Sequence, residues 1–249
     1  LFRSVGISKP SSVLVVGDVN DELNSIWSSA PSRNLVRRIE HFDCIENELA
    51  VGGRLLDVST PRGVYRDVMV PLHGRHQGDN ASIAIVAVEE FFDAPIPEDV
   101  LREGMSTVEM PGRFEVLGHR PLVIIDGAHN PAGADVCSTV FFDDFSPVGR
   151  RILVVGTLKG RDPELTLGAL RADDFDVVIT CTAPSPRGVD TAVLAKTARA
   201  MGCDEVLECT SVEEACARAL SIAGEDDAVL VAGSLYVVGS ARTTLRRSL

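Results

Sequence analysis

The sequence predicts an α/β protein in two parts: residues 111–249 as a doubly wound, mostly parallel sheet, and residues 1–110 as a smaller α/β unit of different pattern. Three observations carry this reading. From residue 121 onward, short β-branched runs alternate with helical patterns, the order that builds parallel sheets. Those runs are almost uninterrupted apolar, as strands covered by helices on both faces must be. Between the two patterns stands Pro111-Gly112 in "VEMPGRFE", a break suited to a domain boundary.

Taken in order, "SVLVVGDV" reads as a strand and "DELNSIWSSA" as a helix. Two strands are expected within residues 45–70, turned at "STPRG", because Pro and Gly set turn dihedrals. "HQGDNASIAIVAVEEFFDAPIP" follows as a helix capped near Asp79. It must stop before Pro95, since the residue preceding a proline is pushed out of the helical region. A second helix covers 97–108. In the later part, "LVIID", "ILVVG", "VVITC", "EVLEC" and "AVLVAG" are the strands, followed by helices over 131–145, 163–171, 190–201, 211–223 and 235–247. Helix starts are marked by Pro131, Asp162-Pro163, Asp190, and Ser211 with Glu214 as a capping box.

Composition narrows the classes of function. With 36 acidic against 24 basic residues the formal charge is −12, which argues against a general nucleic-acid or anionic-membrane surface. No apolar run approaches the ~20 residues of a membrane span, and no targeting pattern opens the chain, so a soluble cytoplasmic protein is expected. Cys44, Cys137, Cys181, Cys203, Cys209 and Cys216 are scattered without a C-x-x-C. Neither a zinc site nor a disulfide framework is expected, and no metal ligand is assigned. Only Lys9, Lys159 and Lys196 are lysines, a bias ascribed to genome composition. The chain begins with Leu rather than Met and with no obvious start of a folding unit, and is expected to be the back part of something longer.

Ligands of open parallel sheets bind beyond the carboxyl ends of the strands, and the polar residues of this chain gather there. "DGAHNP" ends the first strand of the later part with Asp126, His129 and Asn130. A carboxylate there can hold ribose hydroxyls and a histidine can meet a carboxylate or phosphate; equally, Asp126 and Asn130 can simply cap the helix. Arg113 projects from the Pro-Gly turn, suited to bidentate phosphate contact or to an ordinary ion pair. "LHGRHQGDNAS" offers Asn80 and neighbours for a purine edge, or a plain polar loop. "GTLKGRDP" carries Lys159, "APSPRG" carries Ser185 and Arg187, and "AGSLYVVG" carries Ser234, all on strand-to-helix loops of one rim. No stretch fits G-x-x-x-x-G-K-[S/T] or a strand-following G-x-G-x-x-G.

In this order "HQGDNA", "PGRFE", "DGAHNP", "APSPR" and "GSLYVVG" resemble the bifunctional folylpolyglutamate synthase/dihydrofolate synthase family of the Mur ligase superfamily, over essentially the whole chain. The resemblance implies a Rossmann-like C-terminal glutamate-ligase domain preceded by the back part of a P-loop-type ATPase domain. It implies an ATP-dependent ligase that phosphorylates the carboxylate of dihydropteroate or of a tetrahydrofolate polyglutamate tail, which the amine of L-glutamate then attacks. ATP and Mg2+ are the implied cofactors, and a monomer the implied state. Carried across by position, Asn80 resembles the adenine contact, Arg113 the phosphate contact, and Asp126 the ribose or ATP contact. His129 and Ser234 match positions tied to glutamate binding, and His129 with Asp126 are the catalytic candidates. Lys159, Ser185 and Arg187 line the same cleft.

Departures qualify the match. Gly160-Arg161-Asp162 stands where the family often has Asp-Lys-Asp. The family's modified lysine corresponds to a place near Ser4, and its phosphate loop, magnesium ligands and folate loop to sequence upstream. Ligation by this chain alone is therefore not expected, and an incomplete central sheet is expected to expose strand edges. Arg113→Ala and Asp126→Ala are expected to impair ATP use while sparing the fold. The competing readings are a peptidoglycan-precursor ligase of the same superfamily, a non-catalytic nucleotide-binding remnant, and an NAD-dependent dehydrogenase that the missing glycine fingerprint disfavours.

Overall fold

Strands of the later part bury both faces, and period-two alternation sorts their residues into two cores. The structure, a computed structural model, describes residues 6–248; the position near Ser4 lies outside them. It divides into two units between Glu109 and Met110.

In the second unit the strands are β6 (Glu115–His119), β7 (Leu122–Ile125), β8 (Arg151–Val155), β9 (Val177–Thr180), β10 (Val206–Glu208) and β11 (Ala228–Ala232). They form one sheet in the order β10-β9-β8-β11-β7-β6, parallel except for the antiparallel edge strand β6. Ile124, Leu153, Val155, Val178 and Leu230 face one core with α4 (Pro131–Thr139) and α5 (Pro163–Ala169). Their neighbours Val123, Ile125, Val154, Ile179 and Val231 face the other with α7 (Val212–Ile222) and α8 (Leu235–Leu245). Helix α6 (Thr191–Ala200) completes the set on the first side through Ala198. The doubly wound sheet was thus legible; β6 was not, because "EVLGH" is short and only partly buried.

The helix starts follow the predicted chemistry. Asp162 accepts from Glu164 N with Pro163 in the first turn, and Asp190 accepts from Ala192 N. Ser211 accepts from Glu214 N at 3.1 Å, and Glu214 reaches back chiefly to Thr210 N and its hydroxyl, each at 2.8 Å. The helix expected over 131–145 is α-helical through Thr139 and then widens into a π-helical turn, Val140–Phe145. There the consecutive rings of Phe141 and Phe142 both meet Phe175, at 5.3 and 5.1 Å.

At the amino-terminal end of the sheet, buried Asp227 ties the connection before β8 to that before β11. Its Oδ1 accepts from Arg150 N and its Oδ2 from Gly224 N, both at 2.8 Å, and Arg150 Nη2 adds an ion pair at 3.1 Å. Burial works against the charge, but these donors outweigh it and hold the carboxyl below its ordinary range. A depressed carboxyl contributes stability that is present above the unfolded pKa and is lost as pH falls through the folded one. Asp227→Asn is expected to cost about 2 kcal/mol at neutral pH. Urea melts between about pH 6 and about pH 3 should show wild type losing that margin on acidification; a constant gap across the range would contradict it.

The first unit is smaller. β1 (Val13–Val16) and β2 (Asn34–Arg37) form a parallel pair, with α1 (Asp21–Ser28) between them in sequence. β3 (Asp43–Ala50), β4 (Gly53–Thr60) and β5 (Gly63–Val70) form an antiparallel meander. Where the sequence suggested two strands there are three: Gly52, at φ +81°, makes a turn inside "AVGGR" that Gly can adopt without strain. β2 was also missed. Helix α2 (His76–Phe92) serves both sheets, placing Ala81 and Ile85 against Leu56, Val58 and Val68, and Val86 against Val36 and Phe42. It starts at His76 without a side-chain cap, earlier than predicted. Asp79 instead pairs with Arg38 at 2.8 Å. Helix α3 (Glu98–Ser106) packs Leu101 into the same core.

Candidate functional site

The second unit gathers its polar residues where β7, β8, β9 and β11 end. Asp126 follows β7, its N–H donating to Val231 O at 2.9 Å. Both of its carboxylate oxygens accept from backbone: Oδ1 from Ala128 N and Oδ2 from Phe114 N, each at 2.7 Å. One carboxylate therefore fastens two turns, "PGRFE" and "DGAHNP". Phe114 needs such an anchor, because it is a non-glycine residue at φ +43°, in the left-handed region that side chains disfavour. Burial pushes the Asp126 carboxyl up; the Phe114 and Ala128 N–H groups, Arg113 and the Cys137 thiol oppose that without cancelling it. Cys137, buried in α4, is itself pushed well up by burial and by the Asp126 charge.

Arg113 is presented between two left-handed residues. Gly112, at φ +72°, donates from N to Glu115 Oε2 at 2.8 Å and accepts at its carbonyl from Gly127 N at 2.7 Å. The guanidinium lies over Gly127, where an added Cβ would come within 3.1 Å of Arg113 Nη1. Among the described residues the Arg113 side chain has no hydrogen bond and no ion pair; the ion-pair alternative raised by the sequence is not realised there. A charged fork held at a strand's carboxyl end with its donors unspent can take an anion.

His129 is half-buried, and its Nδ1 lies 3.0 Å from Gly127 O. A carbonyl can only accept, so Nδ1 carries the proton of the neutral ring and Nε2 keeps its lone pair. Asn130 does what the plainer reading supposed: its Oδ1 caps α4 by accepting from Gly133 N at 2.8 Å, with Pro131 in the first turn. Ser234 is buried at the start of α8, where its Oγ accepts from Tyr236 N at 3.2 Å. The preceding Gly233, at φ +103°, donates to Ala128 O at 3.1 Å, which joins the Ser234 turn to the Asp126 turn. Arg113, Asp126, His129 and Ser234 thus form one cluster.

Lys159, Ser185 and Arg187 form a second cluster, further along the same edge. Lys159 N donates to Arg187 O at 2.7 Å, and Arg187 Nη2 donates to Lys159 O at 3.1 Å. Leu158 and Gly188 pair as an isolated bridge, and Ser185 Oγ accepts from Arg187 N at 3.2 Å. The loops after β8 and β9 are therefore cross-tied. Beneath them Thr157 is fully buried and its hydroxyl has no partner among the described residues; sequence reasoning passed over it, as it did Cys137 and Glu115, whose roles depend on neighbours distant in the chain.

Asn80 belongs to the first unit, exposed in the opening turns of α2. Its Nδ2 donates to Gln77 Oε1 at 3.1 Å, which leaves its carbonyl oxygen to accept elsewhere. No group of three or more His, Cys, Asp or Glu among the described residues could hold a metal ion. Within the second unit Arg113 offers donors that fit an anionic group, and within the first Asn80 offers an amide carbonyl.

Residues 112–235 match the model of the Mur ligase glutamate ligase domain. A dihydrofolate synthase/folylpolyglutamate synthase of Mycobacterium tuberculosis is 31% identical over 96% of this chain and 53% of its own length. A probable bifunctional folylpolyglutamate synthase/dihydropteroate synthase of Haloferax volcanii is 36% identical over 94% of this chain and 28% of its own. Among solved structures, Mycobacterium tuberculosis folylpolyglutamate synthase complexed with ADP superposes with a TM-score of 0.87 at 31% identity, covering 94% of this chain and 55% of that one. The chain spans about half the length of the first of these relatives.

Proposed function

The chain belongs to the folylpolyglutamate synthase/dihydrofolate synthase family of the Mur ligase superfamily, and from that membership we propose that it serves ATP-dependent addition of L-glutamate to dihydropteroate or to a tetrahydrofolate polyglutamate tail. The observation that carries the reading is Arg113: a guanidinium over Gly127 with no hydrogen bond or ion pair among the described residues, held by two anchored turns at the carboxyl end of a parallel sheet.

ATP would supply the phosphoryl group that activates the acceptor carboxylate. Arg113 would meet its phosphates, and Asn80 would read its adenine through the amide. His129, with Nε2 unprotonated in the neutral ring, would receive or orient the glutamate amine. Asp126 holds the turns and leaves its remaining lone pairs for a ribose hydroxyl. Lys159, Ser185 and Arg187 would meet glutamate carboxylates. Ser234 would act through the turn it caps, since its hydroxyl is buried. Mg2+ would accompany ATP, and no group of three or more His, Cys, Asp or Glu among the described residues could hold it. A cytoplasmic monomer is the accompanying reading.

The test supplies this chain with a separately expressed family segment carrying the phosphate loop and follows labelled glutamate into dihydropteroate together with ADP release. Matched transfer and release are expected. Transfer to a UDP-muramoyl acceptor instead would move the protein to the peptidoglycan branch, and ATP binding without transfer would favour a nucleotide-binding remnant.

A further inference from the structure

We propose that Glu115 is the positioning residue for Arg113, fixing the turn that presents the guanidinium by clamping it to helix α8. The inference rests on the reading of Arg113 as a phosphate contact. Asp126 anchors one side of that turn, through Phe114 N. Glu115 anchors the other. Its Oε2 accepts from Gly112 N at 2.8 Å, and both oxygens accept from Arg242 Nε, at 3.0 and 2.9 Å. Arg246 Nη2 adds a contact to Oε1 at 3.2 Å. Arg242 stands in the last turn of α8 and Arg246 is its C-cap residue, four positions on, so the carboxylate fastens the turn to the end of a helix rather than to another loop.

The clamp matters because of what lies on either side of Arg113. Phe114 sits in the left-handed region at φ +43°, and a non-glycine backbone there relaxes unless its surroundings fix it. At Gly112 a Cβ would lie 2.8 Å from Val238 Cγ1, so glycine suits the close approach of this turn to α8. Burial works against the Glu115 charge, but the Arg242 hydrogen bonds, the Gly112 N–H and Arg246 outweigh it and hold the carboxyl below its ordinary range. The ion pair is mostly shielded from water, with Glu115 16% exposed, so it is screened less than a surface pair.

Two measurements test this. ATP affinity is titrated calorimetrically for wild type, Arg113→Ala, Glu115→Gln and the double variant; Gln keeps the size and one acceptor, so the fold is retained. Glu115→Gln is expected to weaken ATP about tenfold, and to add nothing in the Arg113→Ala background, because residues acting through one another are non-additive. A merely structural Glu115 would give additive losses, and that result overturns the inference. Amide hydrogen exchange of Gly112 and Phe114 is followed in parallel and should quicken in Glu115→Gln with β8 unchanged. If wild type binds no ATP, the phosphate reading of Arg113 fails, and exchange alone judges the clamp: unaltered protection at Gly112 and Phe114 overturns it.

Discussion

Replacing Arg113 by alanine is expected to slow glutamate transfer with ATP about 100-fold, the loss seen when one aimed donor to a developing charge is removed, while changing unfolding free energy by less than about 0.5 kcal/mol. The two halves of that expectation come from the same observation. The guanidinium has no hydrogen bond or ion pair to lose among the described residues, and its turn is held by Gly112 N, Gly112 O and Phe114 N, all backbone groups. The turn therefore rests on the Glu115 and Asp126 carboxylates and on the Gly127 N–H rather than on the arginine side chain. Arg113→Lys keeps the charge but not the planar two-pronged donor, and should recover only part of the rate. Steady-state kinetics with varied ATP, alongside urea melts, checks both halves. Unchanged kinetics in Arg113→Ala would remove the assignment; a large fall in stability would mean the side chain has a packing partner.

What the sequence could show of this site follows from how local each interaction is. Caps such as Asp162, Asp190 and Asn130 bond to groups within three residues, so a short motif contains the whole interaction. The alternation of apolar runs is likewise local, and it gave the parallel sheet. The bonds of Asp126 to Phe114 and of Glu115 to Arg242 span 12 and 127 positions. No spacing rule reaches that far, and "PGRFE" could be read only as a turn that projects an arginine. The same limit hid β2, whose four residues gain their strand character from β1 twenty-one positions earlier, as in the Val13 to Asn34 pairing. Asp79 was read as a cap because its neighbours suited one; its partner Arg38 lies in a different strand connection.

Asp126→Ala should behave differently from Arg113→Ala, and here the structure revises the expectation that both would spare the fold. Removing the carboxylate leaves Phe114 N and Ala128 N without acceptors. Both residues are buried, and each orphaned N–H costs about 1–3 kcal/mol. A loss of about 3 kcal/mol is expected, with release of the strained Phe114 turn. Activity should fall at least as far as in Arg113→Ala, since the turn that carries the arginine loses one of its anchors. The pH dependence supplies a second check through its sign. Burial raises the Asp126 carboxyl, so its contribution is fully present below the ordinary aspartate range and declines as pH rises through the folded value. Asp227, with a similar pair of backbone donors but with Arg150 paired to it, is lowered and runs the opposite way. The gap between wild type and Asp126→Ala should therefore narrow from acid toward neutral pH, while that for Asp227→Asn widens. Chemical denaturation of both variants across that range decides it. A full-stability Asp126→Ala that has lost activity would instead mean that the carboxylate acts directly on the bound ligand and that the two turns hold without it.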